Sequence, residues 1–252
     1  MMKIGAQMFT VREYCRTLDG FAETLAKLAD MGFKVVQVSG TCPYEGEWLD
    51  EQLKKNGLTC ALTHNPYDKL MNDPLSVIEN HRKFSCKNIG CGGKKTSMEE
   101  FIEIVRPSVK AVNEAGFKFF YHNHNGEFYK TDGKNDMERL AEAFTPEEMN
   151  FTLDTYWVHV AGADPIQWMR KFKDRLHCIH LKDAELYKSE KGYELRYAPV
   201  GSGNMNFEGI LSAADEFGVE YGLIEQDDCY GRDPFECLKE SLAYLRAKGY
   251  KD

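Results

Sequence analysis

The 252-residue chain has no apolar run long enough to cross a bilayer, so no membrane span is expected. Its first fifteen residues, MMKIGAQMFTVREYC, lack the basic segment and apolar stretch of an export signal. No C-x-x-C pair occurs. The eight cysteines, at 15, 42, 60, 86, 91, 178, 229 and 237, are scattered, which reads as free, reduced thiols. These absences point to the cytoplasm. Net positive charge is also lacking: the formal charge is -8, which argues against a general phosphate-backbone binder and so against nucleic acid as a partner. A small anion in a local pocket stays compatible with it. No G-x-G-x-x-G follows the first apolar run, where IGAQMFT stands, so a dinucleotide-binding open sheet is the runner-up fold. No linker, low-complexity tract or composition break divides the chain, and residues 1–252 read as one domain.

What is present is an alternation. Short apolar runs at 4–9, 35–38, 58–62, 88–91, 118–122, 150–153, 178–181 and 221–224 are each followed by an amphipathic stretch. Phe21, Ala22, Leu25, Leu28 and Ala29 recur at helical spacing, and Gly32 stops that helix. Asp73-Pro74, Asp164-Pro165 and Asp233-Pro234 each read as a capped helix start, because Asp accepts the first free N–H groups and Pro suits the first turn. Ser97 caps another helix, which Pro107 is expected to kink or split. Eight strands and eight helices in alternation imply parallel strands with right-handed crossovers, and about 250 residues is the size of a (β/α)8 TIM barrel.

In such a barrel the site lies at the C-terminal ends of the strands. Polar residues gather at those ends: Gln7, His64, His122, His124, Glu127, Asp154, His180, Lys182, Asp183, Glu225 and Asp227. The densest patch is KFFYHNHNGEF, at 118–128. Glu127, Asp154, His180 and Glu225 exit four successive strands and could share one divalent ion. Three carboxylates and one imidazole favour Mn2+, Mg2+ or Co2+, with Zn2+ as the alternative.

The second half resembles the xylose isomerase-like TIM barrels of the sugar phosphate isomerase/epimerase group. The likeness rests on YHNHNGEF (121–128), LDTYWVHVAGADP (153–165), IHLKD (179–183), PVGSGNMNF (199–207) and IEQDD (224–228). It implies a divalent metal on Glu127, Asp154, His180 and Glu225, with Glu127 and Glu225 also serving as acid and base on opposite faces of a small carbohydrate. The expected reaction is isomerisation or epimerisation: a metal-polarised carbonyl acidifies the neighbouring C–H.

Other roles are assigned by position. His124 is expected to touch substrate or shuttle a proton. His122 lies on the same side of its strand and is open between a substrate contact and a core or ligand-orienting histidine. Lys182 is placed to stabilise an oxyanion, Trp157 to wall a sugar ring, and Gln7 and His64 to contact substrate. The stretch 184–205 is long for a loop and reads as a lid, bringing Arg196 over the site, and GSGN at 201–204 is a candidate anion cradle. The His-Asn-His ahead of Glu127 keeps a rival open, a lyase or hydrolase of 3-keto glycosides in which a histidine protonates the departing group. A non-catalytic sugar-binding barrel is the third reading, and a homo-oligomer is compatible with all of them.

Overall fold

A computed structural model of the protein describes residues 1–250. Eight parallel strands close into a barrel in sequence order. They are β1 Lys3–Gln7, β2 Val35–Val38, β3 Thr59–His64, β4 Asn88–Gly92, β5 Lys118–His122, β6 Met149–Asp154, β7 Leu176–Leu181 and β8 Tyr221–Ile224. β8 pairs with β1, Lys3 opposite Tyr221, and completes the ring.

The helices outside the ring are α1 Leu18–Asp30, α2 Gly46–Asn56, α3 Tyr67–Asn72, α4 Pro74–His81, α5 Met98–Glu114, α6 Asp136–Ala143, α7 Thr155–Val160, α8 Pro165–Lys171, α9 Phe207–Glu216 and α10 Pro234–Ala247. The Asp-Pro starts behave as expected: Asp73, Asp164 and Asp233 accept the N–H of Ser76, Ile166 and Phe235. Asn135 and Glu138 form a reciprocal capping box on α6. None of the helices among the described residues is long and apolar enough to cross a membrane.

Three expectations need correcting. Pro107 does not split its helix: α5 runs unbroken from Met98 to Glu114. Its buried face, with Phe101, Val105, Val109 and Val112, outweighs one missing N–H. Two short helices, α3 and α7, add to the eight foreseen. The stretch after β7 is no irregular loop. Asp183–Ser189 and Gly192–Ala198 pair as an antiparallel hairpin.

Most apolar side chains lie between the strands and the helices. A separate plug of Val35, Ala61, Leu62, Phe120, Cys178 and Leu223 fills the barrel interior. Two register shifts set which residues face inward above it. β3 carries one extra residue opposite β2, and β7 one extra residue opposite β6. Each bulge re-phases its strand, so that Leu62 and His64, and likewise Cys178 and His180, point inward.

Candidate active site

The inward layer above the plug is polar around most of the ring, with Gln7, Gln37, His122, Asp154, His180 and Glu225 all buried. β4 contributes no side chain to it. A Cβ on Gly90 would come within 3.2 Å of His64, and one on Gly92 within 3.0 Å of His122. The glycines of β4 therefore make room for imidazoles from both neighbouring strands. The rings of His64 and His122 stand 5.2 Å apart, and those of His122 and His180 4.4 Å apart.

Donor atoms of His122, Asp154, His180 and Glu225 all lie within 4.8 Å of one another, a group able to hold a metal ion. His122 Nε2 is 3.1 Å from Asp154 Oδ2. His180 Nδ1 is 3.5 Å from Asp154 Oδ2 and 2.8 Å from Glu225 Oε2. Yet His180 Nδ1 and Glu225 Oε2 are buried without a properly directed hydrogen bond. Their lone pairs converge on shared space more than on each other, as ligands of a common cation do.

The electrostatics fit the same cation. Burial opposes ionisation of Asp154 and Glu225, but Lys182 and His180 outweigh it and hold both carboxyls below their usual range. Burial pushes His122 down to about 3, so it is neutral and can offer a lone pair. Burial also works against charge on His180, but Glu225 and Asp154 prevail and raise it to about 9. A position so favourable for a proton between two carboxylates is favourable for a dication. His180 Nε2 meets Gln37 Oε1 at 2.8 Å. With Nε2–H donating there, Nδ1 is left to face the carboxylates.

Glu127 is not in this group. Its Oε1 accepts from the Tyr121 hydroxyl at 2.7 Å, and its Oε2 accepts from the His124 backbone N–H at 3.0 Å. Tyr121 faces the outer core, against Phe101, because β5 alternates. Glu127 follows it outward, and His122, not expected as a ligand, stands inside. Glu127 instead fixes the backbone at His124, whose ring packs 4.8 Å from His122 and 5.6 Å from Trp157.

The other sequence-chosen residues divide. Lys182 Nζ lies 3.2 Å from Asp154, 3.1 Å from Glu225 and 2.8 Å from Asp227. Burial opposes its charge, and these three carboxylates more than restore it. Gln7 donates to Glu225 Oε1 at 3.1 Å and accepts from the Phe9 N–H, so it orients a carboxylate. Gln7, His64, His122, His124, Lys182, Glu225 and Asp227 all line one cavity of about 780 Å³. Trp157 stands behind it, 5.6 Å from Lys182 Nζ. Arg196 is engaged elsewhere: it pairs with Glu194 and stacks 3.6 Å from the Tyr187 ring on the hairpin. The GSGN cradle is already filled by the protein's own anion. Asp183 accepts from the N–H groups of Ala184, Gly201, Gly203 and Met205 at 2.8 to 3.2 Å.

Gln37 is the functional residue that sequence reasoning missed. A glutamine inside VVQV, in a parallel strand that should read as a continuous apolar run, was the available signal.

The sequence model of the xylose isomerase-like TIM barrel family matches residues 25–248. An inosose dehydratase of Geobacillus thermodenitrificans is 22% identical over 271 residues, covering 90% of this chain and 89% of that protein. A sugar phosphate isomerase/epimerase of Parabacteroides distasonis superposes with a TM-score of 0.82 at 22% identity, over 98% of this chain and 94% of the other. An L-ribulose 3-epimerase superposes with a TM-score of 0.76 at 15% identity, over 98% and 94%.

Proposed function

The chain belongs to the xylose isomerase-like TIM barrel family, and on that premise we propose that it is a metal-dependent lyase acting on a keto-carbohydrate. It removes a proton beside the ketone and expels the substituent on the next carbon. The observation that carries this choice is the position of Glu127. A two-carboxylate isomerase or epimerase needs a second acid/base facing the substrate, and here that residue is bound to Tyr121 and the His124 backbone. What the cavity offers is Glu225 of the cluster, Asp227, Lys182 and the histidines His64, His122 and His124.

His122, Asp154, His180 and Glu225 are the residues that would hold the metal. Two imidazoles and two carboxylates suit Mn2+, Co2+ or Zn2+ better than Mg2+, which prefers oxygen alone. A divalent ion there supplies Lewis acidity, which makes a hydrogen beside a ketone easier to remove. Glu225, oriented by Gln7, accepts that proton. The C–H electron pair moves into the enol, and Lys182 faces the oxygen that gains charge. When the C=O bond re-forms, the pair shifts to a new C=C bond and the C–O bond to the leaving group breaks. His124, at the cavity wall, gives its proton to the departing oxygen. Relatives named as dehydratases support an elimination.

Epimerisation is the second reading, favoured because His124 shares the cavity with Glu225 and could return the proton to the same carbon. One experiment separates the two. Metal-loaded protein is incubated in deuterium oxide with ketoses, keto-inositols and keto-glycosides. Elimination gives a conjugated enone chromophore and a released leaving group. Exchange of deuterium without cleavage supports epimerisation. Neither outcome, with the metal bound, refutes both.

A further inference from the structure

We propose that the far end of the cavity binds an apolar aglycone, so that the group expelled is an alcohol with an apolar body and not water. This rests on the elimination reading above.

The cavity measures about 780 Å³. A hexose ring of about twelve heavy atoms fills roughly 200 Å³ at protein packing density. Most of the space is left for a second group. Both spaces are continuous, so that group would be attached to the reacting sugar.

The two ends differ in chemistry. The cluster end presents Gln7, His64, His122, Lys182, Glu225 and Asp227, whereas the lining beyond it brings the apolar Phe9, Leu18, Cys42, Pro43, Tyr44 and Pro66 together with the polar Ser39, Thr41, Asn65 and Lys69. These come from the segments after β1, β2 and β3, away from the ligands on β5 to β8. Leu18, the first residue of α1, is 42% exposed, although its helix buries other apolar side chains well. Phe9 is fixed from one side by Arg12, whose guanidinium sits 4.2 Å from the ring centre. Gly40 approaches the same ring so closely that a Cβ there would stand 2.9 Å from it. The ring is thus held against the loop as part of a preformed wall. Apolar walls with a few convergent polar groups are the ordinary make-up of a small-molecule site.

Asn80 is engaged, accepting from the Gly46 N–H and donating to the Tyr44 carbonyl. The apolar body of the aglycone would rest on Phe9, Leu18, Pro43, Tyr44 and Pro66, and any polar substituents it carries would meet Ser39, Thr41, Asn65 and Lys69. His124, the proton donor assigned above, and Gly92 line the same cavity.

The test compares methyl and cyclohexyl 3-keto-glucosides, whose leaving alcohols have similar acidity. A 3-keto disaccharide and a keto-inositol complete the panel. With metal-loaded protein, kcat/KM is expected to be about 10- to 100-fold higher for the cyclohexyl than for the methyl glycoside, as burying one such group predicts. In Leu18→Ser and Phe9→Ala that ratio should fall toward one. A ratio near one in the parent protein overturns the proposal. So does a ratio unchanged in both variants, or a preference for the disaccharide over the cyclohexyl glycoside. If the keto-inositol loses water while no glycoside reacts, the subsite falls and the elimination stands. If nothing in the panel turns over, both fall. Leu18 is exposed enough that Leu18→Ser should fold normally.

Discussion

Replacing Asp183 with Asn should unfasten the loop that follows the hairpin. The native carboxylate takes four backbone N–H groups, from Ala184 and Met205 on Oδ1 and from Gly201 and Gly203 on Oδ2. Asparagine keeps the shape but turns one oxygen into an NH2 group. Whichever way the amide is placed, two N–H donors then face a donor. Hydrogen bonds to a charged group contribute about 1.5–3 kcal/mol each, and a buried donor left unmatched adds to the loss, so the variant should be destabilised by about 3–5 kcal/mol. For a chain of this size that corresponds to a fall in Tm of about 10 °C or more. Urea denaturation with a common m-value gives the free energy directly. Ser202→Ala, exposed in the same turn, is the control and should change stability by less than about 0.5 kcal/mol. A loss below about 1 kcal/mol for Asp183→Asn would show that the four N–H groups find water instead. The identity of the loop as a self-filled anion cradle would then be wrong.

Other substitutions test the cluster and the wall of the barrel. His122→Ala should weaken Mn2+ or Zn2+ binding by about 100-fold or more, while Glu127→Gln should change it by less than about 10-fold, both measured by competition with a chromogenic chelator. Equal losses would restore Glu127 as a ligand. Gln37→Leu removes the partner of His180 Nε2 and should lower metal affinity by about 10- to 100-fold without loss of fold. Adding metal at about 100 times its Kd should stabilise the parent protein by about 2.7 kcal/mol, and a chelator should reverse this. His81, buried between Thr63 and Val77, is pushed down by burial to about 4. The unfolded chain takes up this proton near 6.5 and the folded chain only near 4. Stability from this residue is therefore full above 6.5 and lost as pH falls from 6.5 to 4, by about 3 kcal/mol in all. Urea titrations between pH 4 and 7 should show this slope in the parent and a shallower one in His81→Asn.

The barrel was legible because its signals are local and repeated. Most apolar runs lie near a helix cap or a glycine stop, and eight repeats leave little choice of architecture. Pro107 and the hairpin at 183–198 were misread for one reason. Both depend on what a segment packs against: the buried face of α5 carries the helix past the proline, and the pairing of residues 183–189 with 192–198 orders what read as a long loop. The glycines of the candidate anion cradle at 201–204 also depend on what they pack against. Gly203 is small because a Cβ would stand 2.4 Å from Asp183, not because a ligand needs access.

The exchange of His122 for Glu127 shows where strand-end reasoning stops. Counting polar residues located the right end of β5, but it could not say which of five successive side chains faces in. That is fixed by the alternation already running along the strand: Phe120 belongs to the interior plug and Tyr121 to the outer core, so His122 must face in. Beyond His122 the strand ends and alternation no longer governs. The 3-10 turn at Gly126–Phe128 carries Glu127 back to the Tyr121 hydroxyl outside the wall. In the proposed site the carboxylate expected as ligand and base braces His124, and the group able to hold a metal has a second imidazole. On that proposal the donor set suits softer ions. With one of two opposed carboxylates engaged elsewhere, the proposal favours breaking a bond beside the ketone over moving a proton across a sugar.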